Sequence, residues 1–239
     1  MQDYPNFPPI PGSQSHAALD NRVSSVMKRV YFKMFLGLLV TALTSLYCAT
    51  SQGVINFFMA NSWSMWVLII AELGLVFAIS GAINRMSSST ATLLFYIFAV
   101  INGLMLFPIF FVYSTTAIYK TFFITAGVFG LMSIYGFVTS RDLTRMGSFL
   151  FMALIGLIVA SLVNIFVGSS KLDWIISLAG VLIFVGLTAW DTQQVKVMAQ
   201  NAPAEAAGKL ATIGALSLYL DFINLFLYLL RFFGGSSRD

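Results

Sequence analysis

The chain has 239 residues, 59% hydrophobic and only 9% charged, with a mean hydropathy of +0.88. Soluble domains carry about 25% charged residues, so this composition excludes an ordinary soluble fold and points to an integral membrane protein. The net charge of +4 reflects scarce acids rather than basic runs, and no Lys/Arg tract of the nucleic-acid-binding kind is present.

Residues 1–20, MQDYPNFPPIPGSQSHAALD, are polar and rich in Pro and Ser, with no apolar signal-peptide core. They are expected to form a disordered tail, and the only histidine, His16, falls in it and is assigned no role. A membrane domain is expected over residues 21–233, with a tail at 234–239. Residues 20–31, DNRVSSVMKRVY, read as an amphipathic lead-in lying on the membrane surface. Seven spans of about 20 residues fill the remaining length, at 32–50, 65–84, 90–113, 121–139, 147–167, 174–190 and 211–233.

Lys33, near the start of the first span, is expected to snorkel to the interface. The single Cys48 has no disulfide or metal partner and reads as a small buried hydrophobe. Trp63 and Trp66 open the second span as an interfacial belt. The third span holds Asn102 and Gly103, with Pro108 near its end. Gly127, Gly130 and Gly136 on the fourth span allow close helix approach. Asn164 lies inside the fifth. A polar link of roughly twenty residues, 192–210, containing Pro203, is expected between the last two spans.

Lys and Arg counts set the topology. With the N-terminus in the cytoplasm, the inner segments hold nine (Arg22, Lys28, Arg29, Lys33, Arg85, Arg141, Arg145, Lys196, Lys209) and the outer segments four (Lys120, Lys171, Arg231, Arg238). The bias places the N-terminus inside and, with seven spans, the C-terminus outside. The expected location is a bacterial plasma (inner) membrane.

Four charged residues at membrane depth or its edge carry the functional question: Glu72, Arg85, Asp191 and Asp221. Asp221 is the hardest to explain by packing. It sits about 15 Å from either end of its span, where a carboxylate costs roughly 2.5–3.5 kcal/mol. Alone it would be protonated. Against a second carboxylate it would share a proton. Against Arg85 it would be ionised. The bland alternatives make Arg85 a topology anchor, Asp191 an exposed helix end and Glu72 a neutral acid bonded to a neighbouring helix. Enzyme readings are poor: there is no HExxH, no GxSxG and no GxGD aspartate context, and no Ser–His pair is available. A Schiff-base lysine inside the last span is also lacking; Lys209 lies at its entrance.

The string GALSLYLDFINLFLYLLRFFG, running from Gly214 to Gly234, closely resembles the C-terminal signature of the Bax inhibitor family, also called the transmembrane BAX inhibitor motif proteins. AWDTQQVK at the end of the sixth span, LFPIF at 106–110 and NIF at 164–166 support the resemblance, which covers roughly residues 22–233. It implies an all-α bundle of seven transmembrane helices, with the last helix central and wrapped by the other six. It implies a pH-dependent Ca²⁺ leak, with Asp191 and Asp221 matching the two aspartates that sense pH in bacterial members. Glu72 matches an acid on the second helix. Arg85 stands near the family base, in a register offset by up to about two residues, some 200° of helix rotation.

On this reading the protein is no enzyme and holds no permanent cofactor. Its ligands are the lipid bilayer, H⁺ and the permeant Ca²⁺, met transiently by Glu72, Asp191 and Asp221. The chain is expected to be a monomer. Asp191 and Asp221 form a proton-sharing pair, Arg85 clamps its ionised form, acid releases the clamp, and Glu72 lines the opened route, since hard carboxylate oxygens suit Ca²⁺. The pair can meet only if the last helix starts early, near Pro203, or the bilayer is thin there. Two rival readings remain: a regulatory partner of another membrane protein, such as a membrane protease, without flux of its own, and a proton or solute transporter.

Overall fold

A computed structural model of the chain describes residues 11–234. Its helices are α1 (Pro11–Thr50), α2 (Gln52–Ala60), α3 (Trp63–Ala82), α4 (Ser88–Leu106), α5 (Ile109–Val112), α6 (Thr115–Val138), α7 (Thr144–Val167), α8 (Ser170–Asn201) and α9 (Ala207–Phe233), with two short 3₁₀ turns at Ile83–Arg85 and Ala204–Ala206. No strand occurs among the described residues. Seven of these stretches are long and apolar enough to cross a bilayer: Ala18–Thr50, Trp63–Ala82, Ser88–Val112, Thr115–Val138, Thr144–Val167, Ser170–Asn201 and Ala207–Phe233. The chain is an all-α membrane protein with seven spans, as its composition requires.

Local chemistry sets the helix ends. Ser87, Ser114 and Ser169 each accept a hydrogen bond from a backbone N–H in the first turn of the helix that follows. Gly168 ends α7 with φ +63, its N–H bonded to the Asn164 carbonyl. The Asn164 side chain accepts from Ser169 N at 3.1 Å, so this residue closes the α7–α8 turn rather than serving the span interior. Pro108 interrupts the third span between α4 and α5.

Three boundaries differ from expectation. The tail expected at residues 1–20 is helical from Pro11 onward; its first ten residues, the His16 side chain and residues 235–239 lie outside the described residues. Proline suits the first helical position because its ring already holds the helical φ. The lead-in at 20–31 is not a separate surface helix but part of α1. It continues straight into the first span, and Val23, Val26, Met27 and Val30 point into the core, all at most 5% exposed. That i, i+3, i+4, i+7 spacing is an apolar stripe seeking a protein partner. The twenty-residue polar link shrinks to residues 202–206, because α8 runs on to Asn201 and α9 starts at Ala207. Thr192, Val195 and Ala199 hold one buried face through that extension.

The last helix is the most enclosed span: 67% of its apolar window is buried, against 6% for α3 and 11% for α7. It packs mainly on α8, α1, α6 and α4, while α3 leans on α4 and α7 on α8. The arrangement is therefore four helices around α9 with two outer ones, and not a ring of six. At the α6–α8 crossing, a Cβ on Gly136 would run into the Ala189 carbonyl, whereas Gly127 and Gly130 face open space. Only one of the three glycines expected to permit close approach does so. Gly136→Ala should therefore destabilise the protein by roughly 1–3 kcal/mol through overpacking, while Gly127→Ala should stay within about 0.5 kcal/mol of the parent. Thermal unfolding of the two variants in detergent checks the contrast.

Candidate functional site

The site is built on the antiparallel pair α8 and α9. Gly180 lies under Tyr228 and Gly214 under Val195. These two contacts fix the register and set Asp191 opposite the Ser217–Leu218 turn, one helical turn from Asp221. The extension of α8 resolves the depth question. Asp191 does not end its helix but lies about 15 Å before that end, and Asp221 about 21 Å into α9. An early start of α9, just past Pro203, is what lets them meet.

Asp221 is buried, at 4% exposure, and Asp191 is partly buried beside it. Their carboxyl groups are close neighbours across the α8–α9 contact. Ionised carboxylates offer acceptors only, and Asp221 Oδ2 has no protein donor. A proton held between the two groups would supply the missing donor.

The rest of the AWDTQQVK string fastens α8 to its neighbours around Asp191. Trp190 fills the space over Gly147 of α7. Thr192 Oγ1 donates to Ser133 Oγ of α6 at 3.4 Å. The Gln193 side chain grips the α6–α7 turn from both sides: its Nε2 donates to the Arg141 carbonyl at 2.8 Å and its Oε1 accepts from Leu143 N at 2.9 Å. In the same turn, hydrogen bonds from the Thr144 side chain and backbone hold the Asp142 carboxyl below the ordinary carboxylate range. Lys196 Nζ donates to the Phe137 carbonyl at 2.7 Å and sits 5.0 Å from the centre of that ring.

Glu72 stands apart from the aspartates. Its Oε1 accepts from Asn102 Nδ2 of α4, and the second polar atom of that amide, Oδ1, is buried without a partner. Among the described residues no three His, Cys, Asp or Glu side chains gather. Glu72, Asp191 and Asp221 therefore do not share one cluster. Arg85 lies exposed in the 3₁₀ turn after α3, and the ion pair among the described residues joins Arg231 to Asp173 instead. The turn carries Arg85 out of the bundle, so the expected clamp on the aspartates is not made.

Lys33 meets the first turns of α4 and α9. Its ammonium donates to Thr212 Oγ1 at 2.6 Å, Thr92 Oγ1 at 2.7 Å and the Gly208 carbonyl at 3.4 Å, tying α1 to α4 and to the start of α9. Higher up, the wholly buried Tyr219 shares a 2.6 Å hydrogen bond with Thr41, and its ring is held edge-on by Phe95 and Phe98. Cys48 is a buried free thiol.

Residues 23–238 match the family described as inhibitor of apoptosis-promoting Bax1. The chain belongs to the Bax inhibitor family. It is 46% identical over 216 residues to the inner membrane protein YbhL of Escherichia coli K12, covering 89% of this chain and 92% of that one. An uncharacterised protein of Borreliella burgdorferi is 46% identical over 215 residues, covering 89% and 93%. Protein RP147 of Rickettsia prowazekii, also uncharacterised, is 42% identical over 228 residues, covering 95% and 96%.

In this Bax inhibitor family member, α9 carries a polar line away from Asp221. Asn224, Tyr228 and Arg231 follow at three, seven and ten positions, the spacing of one helix face. All three line a cavity of about 300 Å³, together with Tyr113. Neither that line nor the Gln193 and Lys33 contacts was anticipated. The heptad-like spacing of polar residues in an apolar helix was the available signal for the first; nothing local signalled the others.

Removing the Gln193 side chain would orphan the buried Leu143 N–H. Gln193→Ala should cost roughly 1–3 kcal/mol and speed amide exchange at residues 139–143. Hydrogen-exchange mass spectrometry on the purified protein checks this; unchanged exchange there would mean that the grip contributes nothing.

Proposed function

We propose that the protein is a pH-sensitive cation leak pathway for Ca²⁺ in a bacterial inner membrane, controlled by a proton shared between Asp191 and Asp221. The observation that carries this reading is the enclosed Asp221, facing Asp191 with one oxygen short of a donor. Two carboxyl groups in contact do not both ionise cheaply, so the pair holds one proton and one charge. A charge-assisted hydrogen bond of this kind is roughly twice as strong as a neutral one, and it ties α8 to α9. A second proton, taken up in acid, replaces it with the weaker neutral bond and loosens the two helices. The polar line through Asn224, Tyr228 and Arg231 offers a route from one membrane face to the pair. Glu72, placed on the lightly packed α3, supplies a hard oxygen ligand once that helix moves. Arg85 has no part in this scheme.

The test is flux into liposomes holding the purified protein. Ca²⁺ flux should rise as pH falls. Asp191→Asn and Asp221→Asn each leave one carboxyl without a second to share its proton, so each should flatten that profile, with the change between neutral and acid conditions falling to less than about twofold. No flux from the parent protein would turn the assignment to a regulatory partner of another membrane protein. Proton movement independent of Ca²⁺ would turn it to a transporter.

A further inference from the structure

A second cavity, of about 310 Å³, lies between α1, the α4–α5 corner, α6 and α9. Leu106, Ile118, Phe222 and Phe226 form its apolar wall; Thr41 and Ser45 of α1 are its buried hydroxyl groups, and the exposed Tyr119 stands at its edge. Its volume is at the lower end of the range of small-ligand pockets, about 300–1,000 Å³. Its mouth is framed by Leu43 and Phe123, which are 59% and 71% exposed on the face that meets lipid.

Ser45 is the anomaly. Hydroxyl side chains in these helices satisfy themselves by donating to the carbonyl four residues earlier, as Thr41, Thr125 and Thr188 do at 3.0, 2.8 and 2.7 Å. The Ser45 hydroxyl is 97% enclosed by residue exposure, lines the cavity and has no hydrogen-bond partner. A buried donor left unmade in an apolar surrounding costs about 1–3 kcal/mol, and a ligand acceptor would recover it. Ser45 lies five residues before the end of α1, about 7 Å along the helix axis. That depth is near the boundary of a hydrocarbon core about 30 Å thick, the level at which glycerolipid ester groups begin.

We propose that this cavity binds one acyl chain of a bilayer phospholipid, with the Ser45 hydroxyl donating to the ester carbonyl at the head of that chain. The bilayer supplies the occupant directly through the lipid-facing mouth, the walls match a hydrocarbon chain, and the buried unpaired donor matches the ester carbonyl at the head of such a chain. The bound chain would rest against Thr41, whose hydroxyl holds Tyr219, and so would brace α1 on α9.

Native mass spectrometry of the full-length protein, titrated with a diacyl phospholipid and with its diether analogue of equal chain length and headgroup, tests this. The diether lacks the ester carbonyl. The parent protein should bind one diacyl lipid saturably and the diether about fivefold more weakly, the size of one hydrogen bond. Ser45→Ala should bind both lipids alike, at the diether level. Ala42→Trp, which projects from an exposed position into the cavity, should weaken both by at least tenfold while the protein's thermal midpoint is kept. Equal binding of the two lipids by the parent protein, or undiminished binding by Ala42→Trp, would overturn the proposal, as would the lack of any saturable lipid.

Discussion

A carboxyl group sealed between two antiparallel helices in an apolar bundle is the constraint on which this structure turns. Asp221 is only 4% exposed where it lies, and the side chain of Asp191 is beside it. The α8–α9 pair must therefore be held in one register with little tolerance, since a slip of one turn would separate the carboxyls by about 5 Å. Much of the surrounding architecture serves that register. Gly180 and Gly214 let the helices close on Tyr228 and Val195. Trp190, Thr192, Gln193 and Lys196 fasten the flanks of Asp191 to α6, α7 and the turn between them. At the other side of α9, Lys33 and Thr41 bind it to α1.

The proposed shared proton follows from that arrangement. An apolar core tolerates one charge with a strong hydrogen bond better than two facing charges, and a neutral pair loses the charge-assisted bond that joins the helices. On the proposed function, the same feature that makes the pair costly would make it responsive to pH. Sensing and packing would then reside in the same helices: loosening the hydrogen bond would loosen the most enclosed span of the bundle. The outer helices α3 and α7 are the least buried spans, and Glu72 lies on one of them.

Much of this was legible in the residues. The number of spans follows from apolar runs that only a bilayer can hold, and the importance of Asp221 follows from its depth. Asp191 was legible as the partner through its place in AWDTQQVK, but not its distance. Polar residues after it suggested a loop, whereas Thr192, Val195 and Ala199 keep a buried helical face through a polar stretch. That mixed pattern is weak in a window judged on hydropathy. The Lys33 contacts were hidden for a related reason: the oxygens that hold it come from Thr92 and Thr212, far away in the chain. Arg85 illustrates the limit of motif register, since a 3₁₀ turn at the end of α3 rotates it away from the bundle.

The most direct measurement is an infrared pH titration of the protein in bilayers, following the carbonyl stretch of protonated carboxyl groups in the parent chain, Asp191→Asn and Asp221→Asn. The proton-sharing account requires a protonated carboxyl signal at neutral pH that disappears when the two substitutions are combined, and a second that grows in the parent, but not in Asp191→Asn, as the pH is lowered. A neutral-pH spectrum without a protonated carboxyl, or one whose signal survives both substitutions, would contradict it.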